Sequence, residues 1–253
     1  LVKKSNASYT TINGTSWASG YNLEGTQLGG NVYLVNGNRE LVRYDFTSLI
    51  GFPTLLTPTS LSASNLSLAS GLTTWSWRVT AISKVGETVA STALSLASLP
   101  QVLSNTTVRL NWVGISAASG DLRGYNVYRG APGDEVFVGG VDDTVTRFDD
   151  TGANPPDPFR IVPVADTTGG PKAKYIIRFQ DRLIMAGIPN GPSKVIISGR
   201  YPLHERFDWY AGGGFVLVEP DAGDDITGIS TYFNTSNNSQ TIIVFKENSV
   251  WEI

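Results

Sequence analysis

Apolar residues in this chain recur in short runs, often with a period of two, and Gly, Asn, Asp and Pro separate the runs. The pattern predicts strands at 31–35, 40–44, 74–82, 88–91, 108–112, 124–129, 174–179, 182–187, 194–198, 215–218, 241–245 and 249–253. No stretch of ten or more residues keeps a helical period, so the fold class is all-β, with at most one short turn at 204–210. Alternation assigns faces within strands. Trp75, Trp77, Val79 and Ala81 share one face, opposite Arg78 and Thr80. Tyr125 and Val127 point inward, which leaves Tyr128 partly exposed, and Trp112 is expected between two sheets.

Three hairpins repeat along the flanks. Val32–Val35 turns at Asn36-Gly37-Asn38 into Leu41–Tyr44. Arg182–Gly187 turns near Asn190-Gly191-Pro192 into Val195–Ser198, and Ile242–Phe245 turns at Lys246-Glu247-Asn248 into Ser249–Ile253. Apolar hairpins that stack on one another describe propeller blades, and Asp224–Ile229 would add an inner strand to the third. Between the flanks lies a Ser, Ala, Thr and Leu-rich zone, bordered by Pro53 and Pro58 on one side and by Asn154–Pro158 on the other. The expected organisation is 1–51, first propeller-like part; 52–155, one inserted sandwich; and 156–253, second propeller-like part. Neither 52–100 nor 101–155 holds enough strands to cover a core alone. About three hairpins are too few to close a propeller of four to eight blades. Further polypeptide or other chains are therefore expected to complete it.

Two resemblances sharpen these expectations. The segments TWSWRVTAISKVGETVAS (74–91), TVRLNWVGISAASGDLRGYNVYRG (107–130) and FDDTG (148–152) together resemble a fibronectin type III domain. In that family the strands like VRLNW and GYNVYR precede those like WRVTA and GETVAS. Here they follow, which implies a permuted or strand-swapped sandwich. The pattern RFQDRLIMAGI, VIISGRYPLHERF, DDITGIS and IIVFKENSVWEI resembles propeller domains of tailed-phage virion proteins of the tail nozzle and adaptor type. That resemblance implies a structural component of a virus particle, located in the tail. Its partners would be copies of itself in a ring and neighbouring virion proteins. A carbohydrate-binding or adhesion module is the second reading, and a propeller glycan hydrolase the third.

Composition narrows the chemistry. The 253 residues are 41% hydrophobic and 16% charged, with a net charge of −3, so no basic field attracts nucleic acid. There are no cysteines, which removes disulfides, thiolate chemistry and Cys-ligated metals. No apolar run reaches the length of a membrane helix. Asn6, Asn13, Asn65, Asn105, Asn234 and Asn237 each begin an N-x-Ser/Thr sequon, and all are read as polar surface. His204 is the sole histidine, too few for a His-rich metal site, and no G-x-S-x-G accompanies it. Asp142-Asp143, Asp149-Asp150 and Asp221, Asp224 and Asp225 lack the order of a calcium loop and read as solvated turns. Gly212–Gly214 lacks the Lys and Ser/Thr of a phosphate cradle. Glu205 with Asp208, and Glu219 with Asp221, are the carboxylate pairs nearest in sequence to a glycosidase arrangement. The expectation is a non-enzyme with no cofactor and no metal. Ligand or interface contacts would fall on Trp75, Trp77, Tyr128, Trp209 and Tyr210, where an aromatic face stacks on a glycan or a partner.

Overall fold

The computed structural model describes residues 2–5, 8–11, 17, 21–67, 69–103, 106–115, 122–235 and 238–253, and no α-helix occurs among them. Two compact units emerge: residues 1–53 with 169–253, and residues 54–168. The chain opens with the hairpin β1 (Val2–Ser5) and β2 (Ser8–Thr11). A four-stranded antiparallel meander follows, made of β3 (Glu24–Leu28), β4 (Asn31–Val35), β5 (Val42–Tyr44) and β6 (Leu49–Gly51). Leu28 pairs with Asn31, so only Gly29 and Gly30 turn the chain between β3 and β4. Their φ values of 58° and 82° give the two-residue turn that suits strand twist and disfavours a side chain.

The second unit is a sandwich. Its strands are β7 (Thr59–Ser67), β8 (Thr73–Ser83), β9 (Leu94–Leu99), β10 (Thr107–Val113), β11 (Leu122–Gly130), β12 (Val136–Asp142), β13 (Arg147–Asp150) and β14 (Asp157–Ile161). One sheet runs β13-β10-β7 and the other β14-β12-β11-β8-β9, both antiparallel. Trp77, Val79 and Ala81 of β8 and Tyr125 and Val127 of β11 meet Val108, Leu110 and Trp112 of β10 in one core. Their period-two spacing is the cause: alternate side chains of each strand face the other sheet. Segments 74–82 and 108–129 thus share a core.

Two expectations shift here. Residues 88–91 do not form a regular strand, although they run beside β8. Thr88 N donates to Ala81 O at 2.9 Å and Ser91 N to Val79 O at 2.8 Å. In return, the Thr88 and Ser91 hydroxyls, not backbone carbonyls, accept from Ala81 N and Val79 N, each at 3.0 Å. Side-chain oxygens have replaced the ladder. The far border of the sandwich also lies at Thr168, not at 155. The stretch at 154–158 leads into β14, which pairs with β12 through Phe137↔Asp157 and Val136↔Ile161. Thr167 and Thr168 then bind back, Thr167 N to Glu87 O at 2.9 Å and Thr168 Oγ1 accepting from Leu55 N at 2.9 Å. Chain entry and exit are therefore tied together. In the other unit Gly170 N donates to Phe52 O at 3.1 Å.

The first unit resumes with β15 (Tyr175–Phe179), β16 (Arg182–Ala186), β17 (Lys194–Ile197) and β18 (Gly214–Leu217), a second four-stranded meander. A third meander of three strands ends the chain: β19 (Ile226–Asn234), β20 (Ser239–Lys246) and β21 (Val250–Glu252). The three hairpins legible in sequence are the second and third strands of these sheets. Their first strands lie side by side, β15 touching both β3 and β19. Ile184, Ala186 and Val195 pack on Ile226, Ile242 and Val244 between the second and third sheets. The opposite face of β16 is closed as well, with Leu183 and Met185 fully buried. The unit consists of several small antiparallel sheets, and no closed barrel or ring forms among the described residues.

Candidate interaction surface

The loop from β17 to β18 is built to hold two aromatic rings in solvent. Asp208 caps a 3-10 turn at Trp209–Ala211, its carboxylate accepting from Ala211 N at 3.1 Å. The same carboxylate accepts from Arg206 Nε at 2.8 Å. Gly212, at φ 75°, closes the turn by donating to Trp209 O at 2.8 Å. Arg182 then clamps the loop, its Nη1 donating to Ser198 O at 2.6 Å and also to Gly212 O. On this frame Trp209 is 61% exposed and Tyr210 45% exposed, their rings edge to face at 5.2 Å. Such rings bring large contact area with few rotatable bonds.

β18 continues the surface as an edge strand of its sheet among the described residues. Val218 N donates inward to Ser193 O at 2.9 Å, which fixes the alternation and turns the N–H groups of Phe215 and Leu217 toward the open side. Both side chains are exposed, and Lys194 Nζ sits 4.1 Å from the Phe215 ring centroid. An open edge with unpaired backbone and apolar side chains is a template for another chain.

The other aromatics singled out in sequence lie elsewhere. Trp77 is fully buried, and its indole N–H donates to Asp150 Oδ2 at 2.8 Å. Asp150 also takes Arg129 Nη1 at 2.5 Å and Gly152 N at 3.0 Å. Trp75 is half-buried at the end of the same face. Its N–H donates to Pro100 O at 2.9 Å and the Arg129 guanidinium lies 5.6 Å from its ring. The two indoles are thus bound into the sandwich and form no joint platform. Tyr128 is buried, against expectation. Glu87, from the loop beyond β8, covers the outer side of the sheet and accepts the Tyr128 hydroxyl at 2.6 Å and Asn126 Nδ2 at 2.9 Å. Burial pushes the Tyr128 phenol well above its ordinary range, and the Glu87 charge pushes the same way.

Two buried polar clusters in the first unit escaped sequence reading. His204 Nε2 lies 2.8 Å from Tyr33 Oη, and the Tyr33 hydroxyl donates to Glu205 Oε1 at 2.7 Å. Since the hydroxyl proton goes to the carboxylate, Nε2 is the donor to Tyr33. Arg43 Nη1 closes the cluster on Glu205 at 2.9 Å, and Tyr201 stacks on the imidazole at 5.2 Å. Burial, reinforced by Glu205, raises the Tyr33 pKa far above normal. Glu205 therefore serves Arg43 and Tyr33, while Asp208 caps its turn, so this pair is committed to structure. The second cluster centres on Lys246. Its buried ammonium pairs with Asp224 Oδ1 at 2.8 Å and donates to Ser193 Oγ at 3.2 Å, Val218 O at 3.2 Å and Glu219 O at 2.9 Å. The hydrogen bond from Lys246 holds the Asp224 carboxyl below the usual range. One sequence signal did exist: Lys246 shares the parity of Ile242 and Val244, the buried face of β20.

Among the described residues no group of three or more His, Asp or Glu is placed to hold a metal. No described helix is long and apolar enough to cross a membrane. Asn6, Asn13, Asn105 and Asn237 lie outside the described residues, as do the side chains of Asn65 and Asn234. No protein-family model matches the chain, and no curated protein matches it significantly.

Proposed function

We propose that the protein is a structural component of a virus particle, acting by assembly in a phage tail or head–tail region. The observation that carries the reading is the rigidly framed, solvent-facing apolar surface of the first unit. Trp209 and Tyr210 stand on a clamped turn, and the open edge β18 presents Phe215 and Leu217. The clamped polar clusters around Glu205 and Lys246 support the same reading, since they stiffen a body and leave their charged groups occupied. The permuted fibronectin-like reading of the inserted sandwich is supported by its strand order. β8, early in the chain, lies between β9 and the later β11. Copies in a ring and neighbouring virion proteins are the partners in this proposal. Quantitative mass spectrometry of purified particles tests it: many copies per particle are expected, and absence from particles would sink it.

A second reading draws on the Trp209–Tyr210 pair alone. Two exposed rings at 5.2 Å suit stacking on the apolar face of a sugar. Glycan-array binding that Trp209→Ala abolishes would favour adhesion over assembly.

A further inference from the structure

We infer that Asn190 is a site of covalent self-modification, where the Gly191 backbone nitrogen closes on the Asn190 side-chain amide and converts the residue to aspartate or isoaspartate. An asparagine followed by glycine is the pair most open to this ring closure, since glycine has no Cβ to crowd the attacking nitrogen. Three such pairs occur: Asn13-Gly14, Asn36-Gly37 and Asn190-Gly191. The first lies outside the described residues. Structure separates the other two.

Asn36 is held against the reaction. It is buried, and its Oδ1 accepts from Asn38 N at 3.1 Å and Arg39 N at 3.2 Å. Gly37 N, the nitrogen that would attack, donates to Ala173 O at 2.7 Å, on a distant segment of the chain. Asn190 is exposed, in the turn between β16 and β17 that the Ile188↔Gly191 bridge closes. Its φ of 59° lies in the left-handed region, which asparagine tolerates better than most residues. Its side chain makes no hydrogen bond among the described residues. The attacking nitrogen is held by the turn itself, Gly191 N donating to Ile188 O at 3.0 Å. Opening one surface turn costs far less than opening a buried site tied to a distant segment.

The reaction balances with water as the only co-reactant. Gly191 N bonds to Asn190 Cγ as its proton leaves, and the Cγ–Nδ2 bond breaks to release ammonia. Water then opens the cyclic imide at either carbonyl, which gives aspartate at one and isoaspartate at the other. Nothing is oxidised or reduced. The new carboxylate arises in a defined place. Asn190 lines a cavity of about 100 Å³ together with Lys174, Pro192, Asp225 and Ile226. There a second carboxylate joins that of Asp225 and the Lys174 ammonium. Each conversion adds a negative charge to a chain whose net charge is already −3. The isoaspartate form also lengthens the main chain between β16 and β17, whose Ile184, Ala186 and Val195 belong to the core.

Ageing the full folded chain in heavy-oxygen water at mildly alkaline pH, then mapping its peptides by mass spectrometry, tests this. Alkali favours loss of the Gly191 N proton, and digestion in ordinary water adds no label. The peptide holding Asn190 should take up heavy oxygen at least about tenfold faster than the peptide holding Asn36, because the two sites differ in the cost of local opening. In urea the two should react at similar rates. Gly191→Ala should suppress the reaction while keeping the wild-type circular dichroism. Its Cβ would sit 3.3 Å from Lys194 Cβ, a contact that a small shift of Lys194 relieves. Equal rates at Asn36 and Asn190 in the folded chain overturn the inference. So does a folded chain in which Asn190 stays intact while both sites react in urea. A Gly191→Ala chain that reacts as fast as wild type overturns it as well.

Discussion

Replacing Trp77 tests whether the aromatic pair of β8 is core or platform. The side chain is fully buried between the sheets, beside Val79 and Leu110 in one cluster, with its N–H on Asp150 at 2.8 Å. Removing a whole indole gives up about 250 Å² of contact, or about 6 kcal/mol as an upper bound at ~25 cal/mol per Å². Partial collapse of the site brings measured Trp→Ala costs to about 3–5 kcal/mol. Asp150 keeps Arg129 and Gly152 N as partners, so its lost donor adds little beyond that. Trp77→Phe keeps one aromatic ring but gives up part of the indole's volume together with its N–H, so it should cost less than the Ala variant, about 1.5–3 kcal/mol. Domains are stable by only about 5–15 kcal/mol, so the Ala variant should lose much of the sandwich's margin. Urea unfolding of the full chain, followed by fluorescence and circular dichroism, should resolve the two units, with only the sandwich transition moving. A Trp77→Ala cost under about 1 kcal/mol, or lost glycan binding at unchanged stability, would refute the reasoning.

Three further outcomes follow from the ionisable groups. Asp224 has a folded pKa held down by Lys246, so its contribution is fully present above the unfolded value near 3.9 and is lost as pH falls through the folded value. The melting-temperature gap between wild type and Asp224→Asn should therefore be constant near neutral pH and shrink in acid. Tyr33 and Tyr128 have folded pKa values raised by burial and then by Glu205 and Glu87, so their contribution is present below about pH 10 and is lost as pH rises through the folded values. An ultraviolet titration should show both phenols silent until alkaline unfolding, and Tyr33→Phe should remove one of the late phenols. The Arg109–Asp149 pair, at 2.6 Å but with side chains 33% and 40% exposed, is screened by solvent and should show little coupling in a double-mutant cycle.

The sequence alone determined the all-β class, the three repeating hairpins and the inward faces of β8, β10 and β11. These rest on local rules: a period of two marks a half-covered strand, and Asn-Gly or Gly-Gly marks where it turns. Trp112, Tyr125 and Val127 are readable as core for that reason, whereas Trp77, expected among the ligand contacts, proves to be core as well. Only tertiary structure decided what covers an outward face. Tyr128 has the parity of an exposed residue, yet Glu87 reaches over it from a loop whose path no periodicity encodes. Lys246 looks like a surface charge until Asp224, Ser193 and two carbonyls from other loops converge on it. The border at Thr168 was hidden because prolines signal a turn equally well within a domain and between domains, and pairing of β14 with β12 chose the first. The exposure of Trp209 and Tyr210 likewise depends on Arg182, 27 and 28 residues earlier in the chain, holding their loop in place. Local spacing fixes which way a side chain points. Contacts between distant segments fix what it meets there.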